Sequence, residues 1–252
     1  MTAWYVYVGV ILAGFLAGFI NTLAGSGSLV SLPMLIFAGL PATLANGTNR
    51  VAILLQNIVA VRGYRSQGML DWRQALWLSA PAALGAIAGA HIAVRLPEET
   101  MRRAIGAIMV LMLFVLVVNP KRWILGKPGQ IRARPGMGEL LLFFFIGIYG
   151  GFIQAGVGVF LLAGLVLGAG FDIVRANAIK VFIILFFTVP ALAIFLINSQ
   201  VSWGWGLLLA VGNMSGAWVG TRFAARKGAA TWVHRLLILV VIYSAVRLLG
   251  FV

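Results

Sequence analysis

The chain has 252 residues, of which 62% are hydrophobic and only 10% charged, whereas soluble domains carry about a quarter charged residues. Its 19 Lys and Arg outnumber its 5 Asp and Glu, yet no basic cluster is interleaved with exposed aromatics, so nucleic acid is not expected as a partner. The absence of cysteine excludes disulfides and thiolate metal sites.

Many apolar runs approach the roughly 20 residues that a helix needs to cross the hydrocarbon core, and none shows the short strict alternation of barrel strands. The expected fold is an all-α polytopic membrane protein. The first run, Trp4–Leu23, follows a terminus without positive charge and reads as a retained helix rather than a cleaved signal. It ends in Asn21-Thr22-Leu23-Ala24-Gly25-Ser26-Gly27-Ser28, a polar and flexible break. The next segment, Ser28–Leu40, is only about 20 Å of helix. It is a half-helix or re-entrant piece if the break lies in the membrane, or begins at an ordinary surface turn if it does not. Thr43–Arg62, Trp72–Arg95 and Arg103–Asn119 complete the first half.

A basic, proline-rich stretch over 120–136 reads as a linker, and no soluble domain is visible. The second half gives Gly138–Ala155, Val157–Gly170, Ile173–Asn198, Trp203–Ala225 and Trp232–Leu249. Three units are therefore expected: a transmembrane repeat over 1–119, the linker over 120–136, and a second repeat over 137–252.

After the opening stretch the halves align at a constant offset of 131 positions, as from Gly25 to Gly156 and from Gly27 to Gly158. Ala45-Asn46 falls on Ala176-Asn177, Trp72 on Trp203, Gly85 and Gly89 on Gly216 and Gly220, and Arg95 on Arg226. Shared Asn, Trp and Arg at one offset mark a repeat more firmly than shared glycine does. Positive charge sets its orientation, because Lys and Arg gather in cytoplasmic loops. Arg62, Arg65 and Arg73 follow the third segment, whereas the equivalent loop Asn198–Trp203 is uncharged. Inverted repeats of about five segments each, with about eight to ten membrane segments in all and some of them half-helices, fit this pattern best. Arg62–Arg73, the linker and Arg222–Arg235 then face the cytoplasm, with both termini outside. Only Arg95–Arg103 sits on the unfavoured side, partly offset by Glu98 and Glu99.

No hydrolase, redox or phosphate-loop arrangement is present, and no cofactor is expected. His91 and His234 have no neighbouring ligand in metal spacing, so no metal is expected either. The informative residues are polar ones inside the third segment of each half: Asn46, Thr48, Asn49, Arg50, Gln56 and Asn57, then Asn177, Lys180 and Thr188. Lys180 aligns with Asn49, beside Arg50, and each cation lies about 12 Å into its helix. A cation at that depth is costly and usually faces a polar cavity or a partner. The five acids, Asp71, Glu98, Glu99, Glu139 and Asp172, all fall in loops or at helix ends. Arg50 and Lys180 therefore either present unpaired charge to an anionic substrate, or snorkel or bond to backbone carbonyls. Amides around Gly25–Ser28 and Gly156–Val159 would add donors to an anion site. The pairs Gly14/Gly18, Gly85/Gly89, Gly147/Gly151 and Gly216/Gly220 read as helix-packing faces, and Trp4, Trp72, Trp203, Trp205 and Trp232 as interfacial aromatics.

The twofold Gly-Phe-Ile … Gly-x-Gly, the following Leu-Pro-Met-Leu … Ala-Gly-Leu, and the Ala-Asn of the next helix resemble the sulfite exporter TauE/SafE family of permeases. They stand at Gly18–Ser28, Leu32–Leu40 and Ala45–Asn46, with counterparts at Gly151–Gly158, Gly168–Phe171 and Ala176–Asn177. The resemblance covers essentially the whole chain and implies a multi-pass protein of the bacterial inner membrane that moves sulfite, a sulfonate or a related oxyanion outward. Val157 and Val159 replace Ser26 and Ser28, so any site built on the serines is asymmetric.

The expectation is thus a non-enzymatic secondary transporter exporting a small sulfur-containing anion by alternating access. The alternatives are a permease for another small anion such as a carboxylate, or an anion channel. Substrate contacts are expected from Asn21, Gly25, Ser26, Gly27, Ser28, Asn46, Asn49, Arg50, Gln154, Gly156, Gly158, Asn177 and Lys180. The partners are the small anion and the lipid bilayer, and a homodimer is compatible with the sequence.

Overall fold

The computed structural model describes residues 4–118, 135–223 and 242. Most of the central linker, His234 and all of the segment Trp232–Leu249 but Ile242 lie outside the described residues. Among the described residues there are nine helices and no strand. They are α1 (Trp4–Ala24), α2 (Ser28–Phe37), α3 (Ala42–Ser66), α4 (Trp72–Val94) and α5 (Glu98–Val118), then α6 (Met137–Phe152), α7 (Val157–Ala163), α8 (Ile173–Ile197) and α9 (Trp203–Phe223). A π-helical turn, Gly164–Gly168, prolongs α7.

By length and composition α1, α4 and α8 are apolar and long enough to cross a membrane. Their outer faces, and that of α9, expose large apolar side chains, including Trp72, Trp77 and Leu84 on α4 and Val211 and Trp218 on α9. Such contiguous apolar surface suits lipid rather than water. α2 has 10 residues, or about 15 Å, half of what a crossing needs. It doubles back along α1: Gly27 packs against the Ala17 carbonyl and Met34 reaches Gly9. Gly25 through Ser28 are all buried, so the surface-turn alternative does not hold.

Helix ends follow local chemistry. Asp71 caps α4 through the Gln74 amide, and Asp172 caps α8 through the amides of Val174 and Arg175. α5 begins at Glu98, five residues before the apolar run, because Glu98 and Glu99 favour the first turn of a helix. Glu98 also serves α3: its carboxylate accepts from the Ala42 amide, the Thr43 amide (3.0 Å) and the Thr43 hydroxyl (2.8 Å). Partial burial disfavours the Glu98 anion, but these bonds and the charge of Arg102 prevail and hold its carboxyl below the ordinary value.

The two halves exchange partners. α1 packs along α9, and α4 along α6, with glycine on both sides of each seam. Gly14 meets the Leu209 carbonyl, and Gly216 meets that of Phe15. Gly85 meets the carbonyl of Phe144, and Gly151 that of Ala86. These are the close backbone approaches expected of small-residue faces. In both seams residue numbers rise together, so each pair runs parallel. α3 and α8 instead run antiparallel. Gly47, early in α3, lies against Phe195 in the last turn of α8 and Gln200 just beyond it, while Trp72, just beyond α3, meets Phe182 in the first half of α8 at 5.1 Å.

Charge is segregated between the ends of the molecule. Gly63 and Gln67 touch Thr221, so the end carrying Arg62, Arg65 and Arg73 also carries Arg222. At the other end Gln200 bonds the Val94 carbonyl and Tyr7 stacks on Trp205. Arg95 and the Glu99–Arg103 pair belong to that second end.

Candidate functional site

Backbone conformation sets the two breaks. Gly25 (φ 78°) and Gly156 (φ 74°) occupy the left-handed region that side chains disfavour; Gly25 directly follows α1, whereas α6 ends at Phe152 with an extended Ile153 and Gly156 leads into α7. The breaks touch each other. A Cβ on Gly25 would lie 2.6 Å from the Gly158 carbonyl carbon, so the chains cross backbone to backbone. Past each break the helical ladder stops supplying donors to the last carbonyls of its helix, although the Asn21 carbonyl of α1 still accepts from the Gly25 amide at 3.0 Å.

Arg50 answers this need at α6. It is fully buried, and its terminal nitrogens donate to the carbonyls of Gly150 (3.1 Å), Gly151 (2.6 Å) and Phe152 (3.4 Å). Asn46, one turn earlier on α3, adds a bond from Nδ2 to the Phe152 carbonyl at 2.8 Å. The Phe195 ring covers the guanidinium at 4.5 Å.

Lys180 answers the same need at α1. It too is fully buried, and its Nζ donates to the carbonyls of Asn21 (2.7 Å) and Thr22 (3.4 Å) and to Asn177 Oδ1 (2.7 Å). Asn177 Nδ2 in turn holds the Ile173 carbonyl at 3.0 Å. At the repeat offset, Asn46 corresponds to Asn177. Carbonyls in the last turn of α1 and of α6 are thus each bound by a cation from the opposite half. Both cations bond to backbone carbonyls. Cations suit these positions because helix C-termini carry about half a negative charge.

The other expected site residues divide between these two centres and the crossing. Asn49 Oδ1 accepts from the Ser31 hydroxyl at 2.7 Å and does not reach the cations' carbonyls. Gln154 Nε2 donates to Thr188 Oγ1 at 2.7 Å, tying the second break to α8. Ser26 is buried and its hydroxyl has no partner among the described residues, and the same is true of Gln154 Oε1 and Arg50 Nε. Ser28 is buried at the start of α2. Gly27 packs on α1, and Gly156 lies against Met112 and Leu29. Arg50 and Lys180 share no bonding partner. No acid is buried among the described residues.

Several contributors escaped the sequence reading. Tyr64 is fully buried and donates to the Thr22 carbonyl at 3.1 Å, beside Lys180. Asn213, in the apolar run of α9, donates to Gln56 Oε1 at 3.3 Å. An Asn inside an apolar helix was a visible signal. Gly150 and Gly151 act through carbonyls, which residue identity does not reveal.

A family model described as sulfite exporter TauE/SafE matches residues 10–248. The chain belongs to the TauE/SafE family. Among curated proteins it is similar to the probable membrane transporter protein ORF9 of Sinorhizobium sp, with 32% identity over 249 residues, covering 98% of this chain and 94% of that protein. A probable membrane transporter protein of Haemophilus influenzae is 29% identical over 220 residues, covering 85% and 84% of the two chains. The probable membrane transporter protein YfcA of Escherichia coli K12 is 25% identical over 214 residues, covering 84% and 78%. No solved structure matches. This TauE/SafE chain is therefore a multi-pass membrane protein of a transporter family and not an enzyme.

Proposed function

We propose that this TauE/SafE chain is a secondary transporter that exports a small sulfur-containing anion, sulfite or an organosulfonate, across a bacterial inner membrane. The observation that carries the reading is the pair of buried cations without a buried acid. Two full charges, each opposed by about half a charge at a helix C-terminus, leave roughly one uncompensated positive charge in the core. A small anion arriving at the crossing of the breaks neutralises it. Ser26 and Arg50 Nε supply buried donors without a partner among the described residues. Sulfur enters through the family description alone.

Alternating access follows from inverted repeats over 1–119 and 137–252. The antiparallel run of α3 against α8, the exchanged seams and the binding of each first helix's last turn by a cation of the other half support that relation. The basic end bearing Arg62, Arg65, Arg73 and Arg222 faces the cytoplasm by the positive-inside rule. Export is favoured electrically, since an anion leaving a negative interior gains about 2.3 kcal/mol per charge per 100 mV.

The test is a proteoliposome flux screen of sulfite, sulfate, sulfoacetate, taurine and acetate, with Arg50→Gln and Lys180→Gln alongside. Saturable flux with counterflow for a sulfur oxyanion, lost in both variants, is expected. Preference for acetate redirects the substrate to carboxylates, and flux without counterflow makes the protein a channel. Normal transport by both variants removes the cations from the mechanism.

A further inference from the structure

Given that the chain carries an anion, we propose that its two buried cations have separate tasks: Arg50 anchors the anion, and Lys180 is a latch on α1 that the anion opens by replacing the α1 carbonyls. The distinction begins with counting donors. An ammonium has three N–H groups, and those of Lys180 face three acceptors, the carbonyls of Asn21 and Thr22 and Asn177 Oδ1. An anion reaches Lys180 only by displacing one of them. A guanidinium has five N–H groups. Those of Arg50 hold Gly150, Gly151 and Phe152 through the terminal nitrogens, while the buried Nε has no partner among the described residues. An anion can therefore meet Arg50 without breaking a bond.

The acceptors differ in the same sense. Each α1 carbonyl that Lys180 holds has a second donor: the Gly25 amide bonds Asn21 at 3.0 Å, and the Tyr64 hydroxyl bonds Thr22 at 3.1 Å. Lys180 can leave both, and neither is stranded. At α6, only Phe152 has another donor, Asn46 Nδ2. The carbonyls of Gly150 and Gly151 have no other donor recorded among the described residues, so withdrawing Arg50 would strand two buried acceptors. An unsatisfied buried carbonyl is expensive, whereas a charged oxyanion is a stronger acceptor than a neutral carbonyl. Exchange is thus disfavoured at Arg50 and open at Lys180. The released turn of α1 leads directly into Gly25-Ser26-Gly27, whose backbone touches Gly158. Anion arrival in one half is in this way transmitted to the break of the other.

The test uses the full chain in proteoliposomes, with hydrogen–deuterium exchange followed by mass spectrometry on residues 21–28 and 153–158. Sulfite, sulfate, sulfoacetate and acetate are the probes, each also followed for saturable flux. In the parent, a transported anion raises exchange over 21–28. Lys180→Met has raised exchange over 21–28 without anion, no further response to it, and parental exchange over 153–158. Lys180→Arg restores the anion response. Arg50→Lys keeps 21–28 protected without anion and raises the KM for flux by about tenfold or more, the loss expected for a charge-assisted hydrogen bond. A thermal melt of each variant establishes that it is folded.

Parental protection of 21–28 in folded Lys180→Met overturns the latch, as does equal loosening of both segments. A transported anion that leaves parental 21–28 unchanged overturns the exchange while the transport reading stands. An unchanged KM in Arg50→Lys overturns the anchor. If none of the four anions is carried, the transport reading fails and the anchor with it, and the anion-free Lys180→Met comparison still decides the latch.

Discussion

Gly158→Ala probes the crossing of the two breaks directly. The added methyl would sit 2.6 Å from the Gly25 carbonyl carbon and closer still to its Cα and oxygen. Carbon–carbon contacts are optimal at about 3.5–4.0 Å, so the breaks must part by about 1 Å. Every atom in the way is backbone, and no flexible side chain can swing aside. Overpacking of this kind costs about 1–3 kcal/mol, or roughly 2–10 °C of melting temperature in a chain of this size. Two substitutions separate the close approach from the general effect of losing a glycine. Gly168→Ala has nothing within 4 Å and should melt with the parent. Gly156→Ala meets chiefly the flexible Met112 side chain, so its cost is dominated by a left-handed φ, about 1–2 kcal/mol. Thermal unfolding followed by tryptophan fluorescence in detergent, with flux in proteoliposomes, makes the comparison. Parental melting and parental flux in Gly158→Ala would show that the breaks do not cross as described.

Three further outcomes follow from the helix ends. Arg50→Met strands the carbonyls of Gly150 and Gly151, at about 1–3 kcal/mol each, and should lower the melting temperature more than Gly158→Ala does. Tyr64→Phe removes the hydroxyl bond to Thr22 but leaves Lys180 in place, so a loss of about 0.5–1.5 kcal/mol is expected in the same melt. Glu98→Ala removes the cap of α3 at a cost of about 1 kcal/mol at neutral pH. Because folding lowers the Glu98 pKa, its contribution is complete above the unfolded value near 4.3 and is lost as pH falls through the lower folded value. Parent and Glu98→Ala melts recorded against pH should therefore converge on acidification below about 4.3, and a constant gap would refute the assignment.

The helices, their order and the two breaks were legible in the chain because each rests on near neighbours. Apolar run length sets a membrane helix, and Asp71 or Asp172 marks its start within three residues. The short second segment and the offset of 131 positions likewise needed no coordinates. Boundaries erred where a distant contact intervened, as at Glu98, whose duty to α3 lies 55 residues away in sequence. Only the tertiary structure decided what Arg50 and Lys180 hold. Their acceptors are backbone carbonyls 100 to 159 positions distant. Every residue carries such a carbonyl, so composition cannot point to the ones left free. The carbonyls that the cations bind are on offer because α1 ends at Ala24 and α6 at Phe152, and they lie within reach because the halves exchange partners along α1–α9 and α4–α6. The sequence by itself determined that two cations enter a core without acids. The packing determined that each closes a helix of the other half, since a helix end becomes a partner only when another helix is brought against it.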